Sequence, residues 1–135
     1  MASELRVDTL KDSSGNNSVG MSYVAGGSAK LRVNFDGSAS SLSADGSFNL
    51  SSLTDNGTGD HTVNATSSFS DRHYSVSGSV AFEDGLGNYT NSMRVLSINS
   101  YTSPTTSALR INTSYSNSNN EDCDIVTPVI HGDLA

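Results

Sequence analysis

Apolar residues in this chain recur at every second position, in short runs cut by turn formers. Leu31, Val33 and Phe35 are interleaved with Arg32 and Asn34, and Asp36-Gly37 ends the run. A period of two sends alternate side chains to opposite faces of an extended strand. Phe48 and Leu50 alternate with Ser47, Asn49 and Ser51, which predicts one strand there. After Asp55-Asn56-Gly57-Thr58-Gly59-Asp60, His61, Val63 and Ala65 share one face and Thr62, Asn64 and Thr66 the other. Asn-Gly favours the positive φ angles of a tight turn, so these two runs read as a hairpin. Tyr74, Val76, Gly78 and Val80 oppose Ser75, Ser77 and Ser79 until Gly85-Leu86-Gly87 breaks the pattern. Residues 93–98 and 107–113 follow, with Pro104 confined to the turn between them. The last run, 125–130, contains Pro128, which lacks an N–H for the ladder and predicts an edge strand or one exchanged with a neighbour. About seven short strands so spaced predict an all-β fold, an antiparallel β-sandwich or jelly-roll-like domain over residues 30–135.

Composition points the same way. Ser, Thr, Asn and Gly supply 63 of the 135 residues, Gln is absent and Glu occurs three times. Formers of helix interiors are too scarce for a helical bundle or a βαβ nucleotide-binding domain. Nine aromatics and no Trp leave a small core for a domain of this size. Either the fold is economical or the missing burial comes from sister chains.

Residues 1–29 are organised differently. Glu4-Leu5-Arg6-Val7-Asp8-Thr9-Leu10 alternates cleanly, but a polar, Gly-rich stretch over 12–28 separates it from the domain. A strand detached from its sheet needs an edge to pair with. The segment reads as an N-terminal arm with Leu5, Val7 and Leu10 as assembly contacts, or as a first sheet strand reached through a long loop.

The net charge is −7, and seven cations spread along the chain make no basic track, so neither nucleic acid nor an anionic membrane is an expected partner. One cysteine, Cys123, excludes an internal disulfide framework. No apolar run in residues 1–20 matches a signal peptide, which predicts synthesis in a cytoplasm and exit by a route without a cleaved signal.

Candidate chemistry is sparse. The turn from Asp55 to Asp60, with the Asp122/Asp124 pair, offers oxygen ligands for a calcium ion. It lacks the EF-hand register and its distal Glu, so a plain turn is the preferred reading. Carboxylates around Cys123 raise its thiol pKa and work against a nucleophile. His61, His73 and His131 have no metal-ligand spacing; on the axis of a trimer, His61 is the candidate to bind a metal or anion. Ser, His and Asp abound without a Gly-x-Ser-x-Gly elbow, and no carboxylate pair, phosphate loop or Cys pair stands out. No enzyme and no cofactor are expected. Tyr89, Tyr101 and Tyr115 sit in or beside polar loops, where aromatic rings stack on sugars.

The run from Ser47 to Asn64, with Phe69, Asp71 and Tyr74 after it, resembles a pattern in small tail-fibre-like virion proteins of marine bacteriophages, cyanophages among them. Residues 3–10 and 14–18 resemble the N-termini of such phages' structural proteins. Two departures stand out: that pattern has an aromatic where His61 stands and another near Ala65. The resemblance implies a β-rich virion component, a homotrimer, and carries no catalytic residues.

The expected function is therefore a non-enzymatic bacteriophage virion structural protein made in the bacterial host cytoplasm. The leading form is a trimeric tail-fibre component bound to other virion proteins and touching host surface glycans. A capsid decoration protein is the alternative. A calcium-dependent carbohydrate-binding or adhesion module is the reading from another class, and a depolymerase fragment the weakest.

Overall fold

A computed structural model describes residues 3, 5–83, 93–115 and 119–135. In chain order the elements are β1 (Thr9–Lys11), β2 (Ser18–Gly20), α1 (Met21–Gly27), β3 (Leu31–Phe35), β4 (Ala44–Phe48) and β5 (Leu50–Gly57). Then come β6 (Asp60–Ala65), β7 (Ser75–Ala81), β8 (Arg94–Ile98), β9 (Ala108–Tyr115) and β10 (Ile125–His131). Eight of the strands form two four-stranded antiparallel sheets, ordered β4-β3-β10-β7 and β5-β6-β9-β8. This is the all-β sandwich that the alternation predicts.

The core lies between the sheets and is small. Leu31, Val33 and Phe35 of β3 meet Val63 of β6, Leu109 and Ile111 of β9, and Val126 and Ile130 of β10; Phe69 and Cys123 complete it. Phe69 carries Tyr74 at a ring distance of 4.6 Å, and the Tyr74 hydroxyl donates to the carbonyl of Thr105 at 3.0 Å.

The structure corrects several expectations. The run around Phe48 and Leu50 is two strands, because Asn49 takes a φ of 58° and turns the chain from one sheet into the other. Its side chain makes the corner tenable: Oδ1 accepts from the Ser67 N–H at 2.7 Å and Nδ2 donates to the Ser67 carbonyl at 3.1 Å. Asn49→Ala loses both bonds and strains a left-handed residue, so a loss of about 2 kcal/mol is expected in chemical denaturation. Asn49→Gly keeps the backbone free and should lose clearly less; equal losses would mean the corner is not held this way.

Pro128 lies in an interior strand, not at an edge. Pairing of β10 with β7 runs unbroken from Ile125↔Ala81 to His131↔Ser75, whereas its pairing with β3 lapses across Thr127 and Pro128. An interior strand tolerates the proline by giving up ladder contacts on one side only. In the β5–β6 hairpin, positive φ angles fall at Gly57 and Gly59, not at Asn56.

At the N-terminus, Leu5, Arg6 and Val7 lie in no strand. The extended segment begins at Thr9 and pairs with β2 as a two-stranded sheet of its own, Leu10 opposite Val19. Asp12 folds the chain back: its carboxylate accepts from the N–H groups of Ser14, Asn16 and Asn17 and from the Asn17 amide. The Asn17 amide is the main cause holding its pKa below the usual carboxylate value. The polar stretch expected as a linker thus holds β2 and the seven-residue α1, which buries no side chain.

Candidate functional site

The β5-β6-β9-β8 sheet turns a polar face outward. Register places Asp60, Asn112 and Ser97 side by side across β6, β9 and β8, and sets Thr62 beside Arg110 and Val95 beside Ser114. Alternation dictates this, since the intervening His61, Ile111 and Thr113 are buried. The Arg110 guanidinium grips Asp60 with two hydrogen bonds of 2.7 Å, which holds the Asp60 carboxyl below its usual pKa.

A cleft of about 780 Å³ lies along β8 on this face, with Tyr101 and Tyr115 among its walls. Asn99 braces one end: its Nδ2 donates to Asn112 Oδ1 at 2.8 Å, while its Oδ1 accepts from the N–H groups of Tyr101 and Thr102. That clamp holds out the Tyr101 ring, which is 96% exposed. At the other end the Tyr115 ring lies 4.5 Å from the Arg94 guanidinium, which also stacks on Phe82 at 4.8 Å and pairs with Glu121. Amides and hydroxyls from Asn119, Asn120 and Ser114 complete the lining. The surface is neutral apart from the paired Asp60, and it suits a polar, uncharged ligand with one apolar face. Of the three tyrosines singled out in the sequence, Tyr101 and Tyr115 thus share one cleft, and Tyr89 lies outside the described residues. The clamp on Asn99 had no signal in the sequence, where it is one Asn among 13.

The candidate calcium ligands are dispersed into separate tasks. Asp55 accepts from the Gly57 N–H, Asp122 from the Gly59 N–H, and Asp124 from the Glu83 N–H and the Ser38 hydroxyl. Among the described residues no three His, Cys, Asp or Glu side chains form a set able to hold a metal. Cys123 is buried, and burial chiefly, with Glu121 and Asp124 adding to it, pushes its thiol pKa up.

His61 cannot meet its copies on a trimer axis, because it is fully buried. The Phe35 ring stands edge-on to it at 5.4 Å, and Gly37 lies so close that a Cβ there would sit 3.0 Å from Nε2. Neither ring nitrogen has a hydrogen-bonding partner among the described residues. Burial pushes its pKa below 6.5, against the pull of Asp122, Asp55 and Asp60. The unfolded chain therefore takes up this proton more readily than the folded one. The stability His61 contributes is complete above pH 6.5 and is lost as pH falls through the depressed folded value, by at most ~1.4 kcal/mol per pH unit. Thermal melts between about pH 7 and about pH 5 should show this decline, and His61→Leu should flatten it. A decline of equal slope in His61→Leu would assign it to another group. Asp60 adds a separate loss only below 3.8.

Among the described residues no helix is long and apolar enough to cross a membrane. No protein-family model, curated protein or solved structure matches the chain.

Proposed function

We propose that this chain is a non-enzymatic structural component of a bacteriophage virion, of tail-fibre type, with the sandwich as its head and the N-terminal segment as its assembly element. The observation that supports it most is the state of that segment. Its hairpin pairs with neither large sheet, and Leu5, Leu10, Val19 and Tyr23 are exposed there. A lone two-stranded hairpin is marginal in water, so a partner surface is the natural source of its stability. The resemblance of residues 47–64 to phage tail-fibre-like proteins supplies the setting, and the small core agrees with a homotrimer.

The cleft favours a second element of the same reading, contact with a neutral glycan of the host surface. Tyr101 and Tyr115 offer rings to the apolar faces of sugars, and Asn112, Asn119 and Asn120 offer donors and acceptors for hydroxyls.

Light scattering on the full chain tests the assembly. The expected mass is near three times 14.1 kDa and insensitive to EDTA. A monomer that loosens in EDTA would move the reading to a calcium-dependent binding module. Label on particle heads rather than tails in electron microscopy would make the chain a decoration protein.

A further inference from the structure

We infer that the outer edge of β8 receives the N-terminal segment of a second copy of this chain as an added strand. This rests on the assembly reading above and names the surface that assembly uses. The two sheets end in four edge strands, β4, β7, β5 and β8. Three are poor templates. The β5 ladder shifts register at Leu50/Ser52 and at Asp55/Gly57, and the β4 ladder at Asn34/Phe35. β7 shows serines outward. Bulges and polar residues of this kind protect sheet edges from unwanted partners.

Among the described residues β8 has no bulge of that kind, although β7 of the facing sheet packs beside it. β8 pairs with β9 without a register shift from Arg94↔Tyr115 to Ile98↔Ile111. Val95 and Ile98 are 40% and 44% exposed, Met93 beside them is 65% exposed, and the one charge in the strand, Arg94, is turned inward. Among the described residues no second strand pairs with it.

The same chain carries a matching donor. Leu5 and Val7 flank Arg6 with strand alternation, lie in no strand, and expose their side chains. The five residues of β8 span about 17 Å, the length of a five-residue strand around Leu5 and Val7. The donor's own sandwich is the less suitable acceptor, because α1 leads into β3, in the sheet that does not contain β8. Each copy then offers one donor and one acceptor, a heterologous contact of the kind that a ring such as a trimer is built from.

The test measures mass by light scattering for the full chain, for Leu5→Asp/Val7→Asp and for Val95→Lys, with circular dichroism to show that each is folded. Both variants should be monomers. A synthetic peptide of residues 2–10 should bind the Leu5→Asp/Val7→Asp protein and lose at least tenfold in affinity when Val95→Lys is added. Should Val95→Lys fail to fold, Val7→Cys/Val95→Cys serves instead and should form a disulfide between chains in the full-length oligomer. An oligomer that survives Val95→Lys but not the arm substitutions would overturn the β8 assignment and leave assembly through the arm standing. An oligomer that survives Leu5→Asp/Val7→Asp would overturn both.

Discussion

Gly59→Ala is expected to lower the melting temperature of this chain by ~10 °C. Gly59 sits at the tip of the β5–β6 hairpin with a φ of +61°. A Cβ there would stand 2.4 Å from the Thr113 carbonyl oxygen and 2.6 Å from the Glu121 nitrogen. Both neighbours are backbone, so no side chain can swing aside. The position also ties three segments together. Its N–H donates to Asp122 at 2.6 Å, its carbonyl accepts from the Thr113 N–H at 2.9 Å, and Asn112 Nδ2 donates to the same oxygen at 3.2 Å. Relieving the clash would separate the hairpin tip from β9 and from the loop at Glu121. Overpacking against rigid neighbours costs about 1–3 kcal/mol and a strained left-handed residue about 1–2 more. At about 3 °C per kcal/mol for a domain of this size, the sum of about 2–5 kcal/mol corresponds to about 6–15 °C, a range that brackets the shift named above. Gly57→Ala is the control, because it too has a positive φ but nothing within 4 Å of its Cβ. Equal shifts for the two would mean that strain alone, not the close approach, governs Gly59.

The strands on which the core rests were legible because alternation is local. Leu31-Val33-Phe35 and His61-Val63 have the predicted inward faces, and the spacing of turn clusters was enough to expect a sandwich. What escaped the sequence depended on partners distant along the chain. Asn49 looked like one polar residue inside a strand, and only its bonds to Ser67 turn it into a corner. Pro128 argued for an edge on local grounds, yet β10 is held on both sides, by β7 along its length and by β3 at either end of the gap. The cleft was half legible. Tyr101 and Tyr115 stood out as aromatics in or beside polar loops, but that both line one cleft, with Tyr101 held out by the Asn99 clamp, was invisible in the residues themselves.

Arg94 is where the second large effect is expected, because one side chain there does three jobs. Its guanidinium stacks on Phe82 and on Tyr115 and pairs with Glu121, with 7% of the Arg94 side chain and 30% of the Glu121 side chain exposed. Arg94→Ala removes two cation–π contacts and leaves the Glu121 carboxylate uncompensated. Breaking a fully buried pair from one side costs about 3–5 kcal/mol; the partial exposure of Glu121 lowers the expectation to about 2–3 kcal/mol. Arg94→Lys should recover little, since an ammonium cannot lie flat between two rings. The double change Arg94→Leu/Glu121→Leu should recover more than half of the loss, because a shielded pair replaced by apolar residues leaves no stranded charge. Salt separates this pair from the one on the sheet face. At about 1 M salt the contribution of Arg110 and Asp60, where the Arg110 side chain is 33% exposed, should shrink, while the Arg94 effect should persist. A double-mutant cycle for Arg94 and Glu121 with a coupling below about 0.5 kcal/mol would sink the argument. A large coupling would show that the pair and its two rings hold β8 in register against β9, which keeps the strand's outer edge in place for a partner.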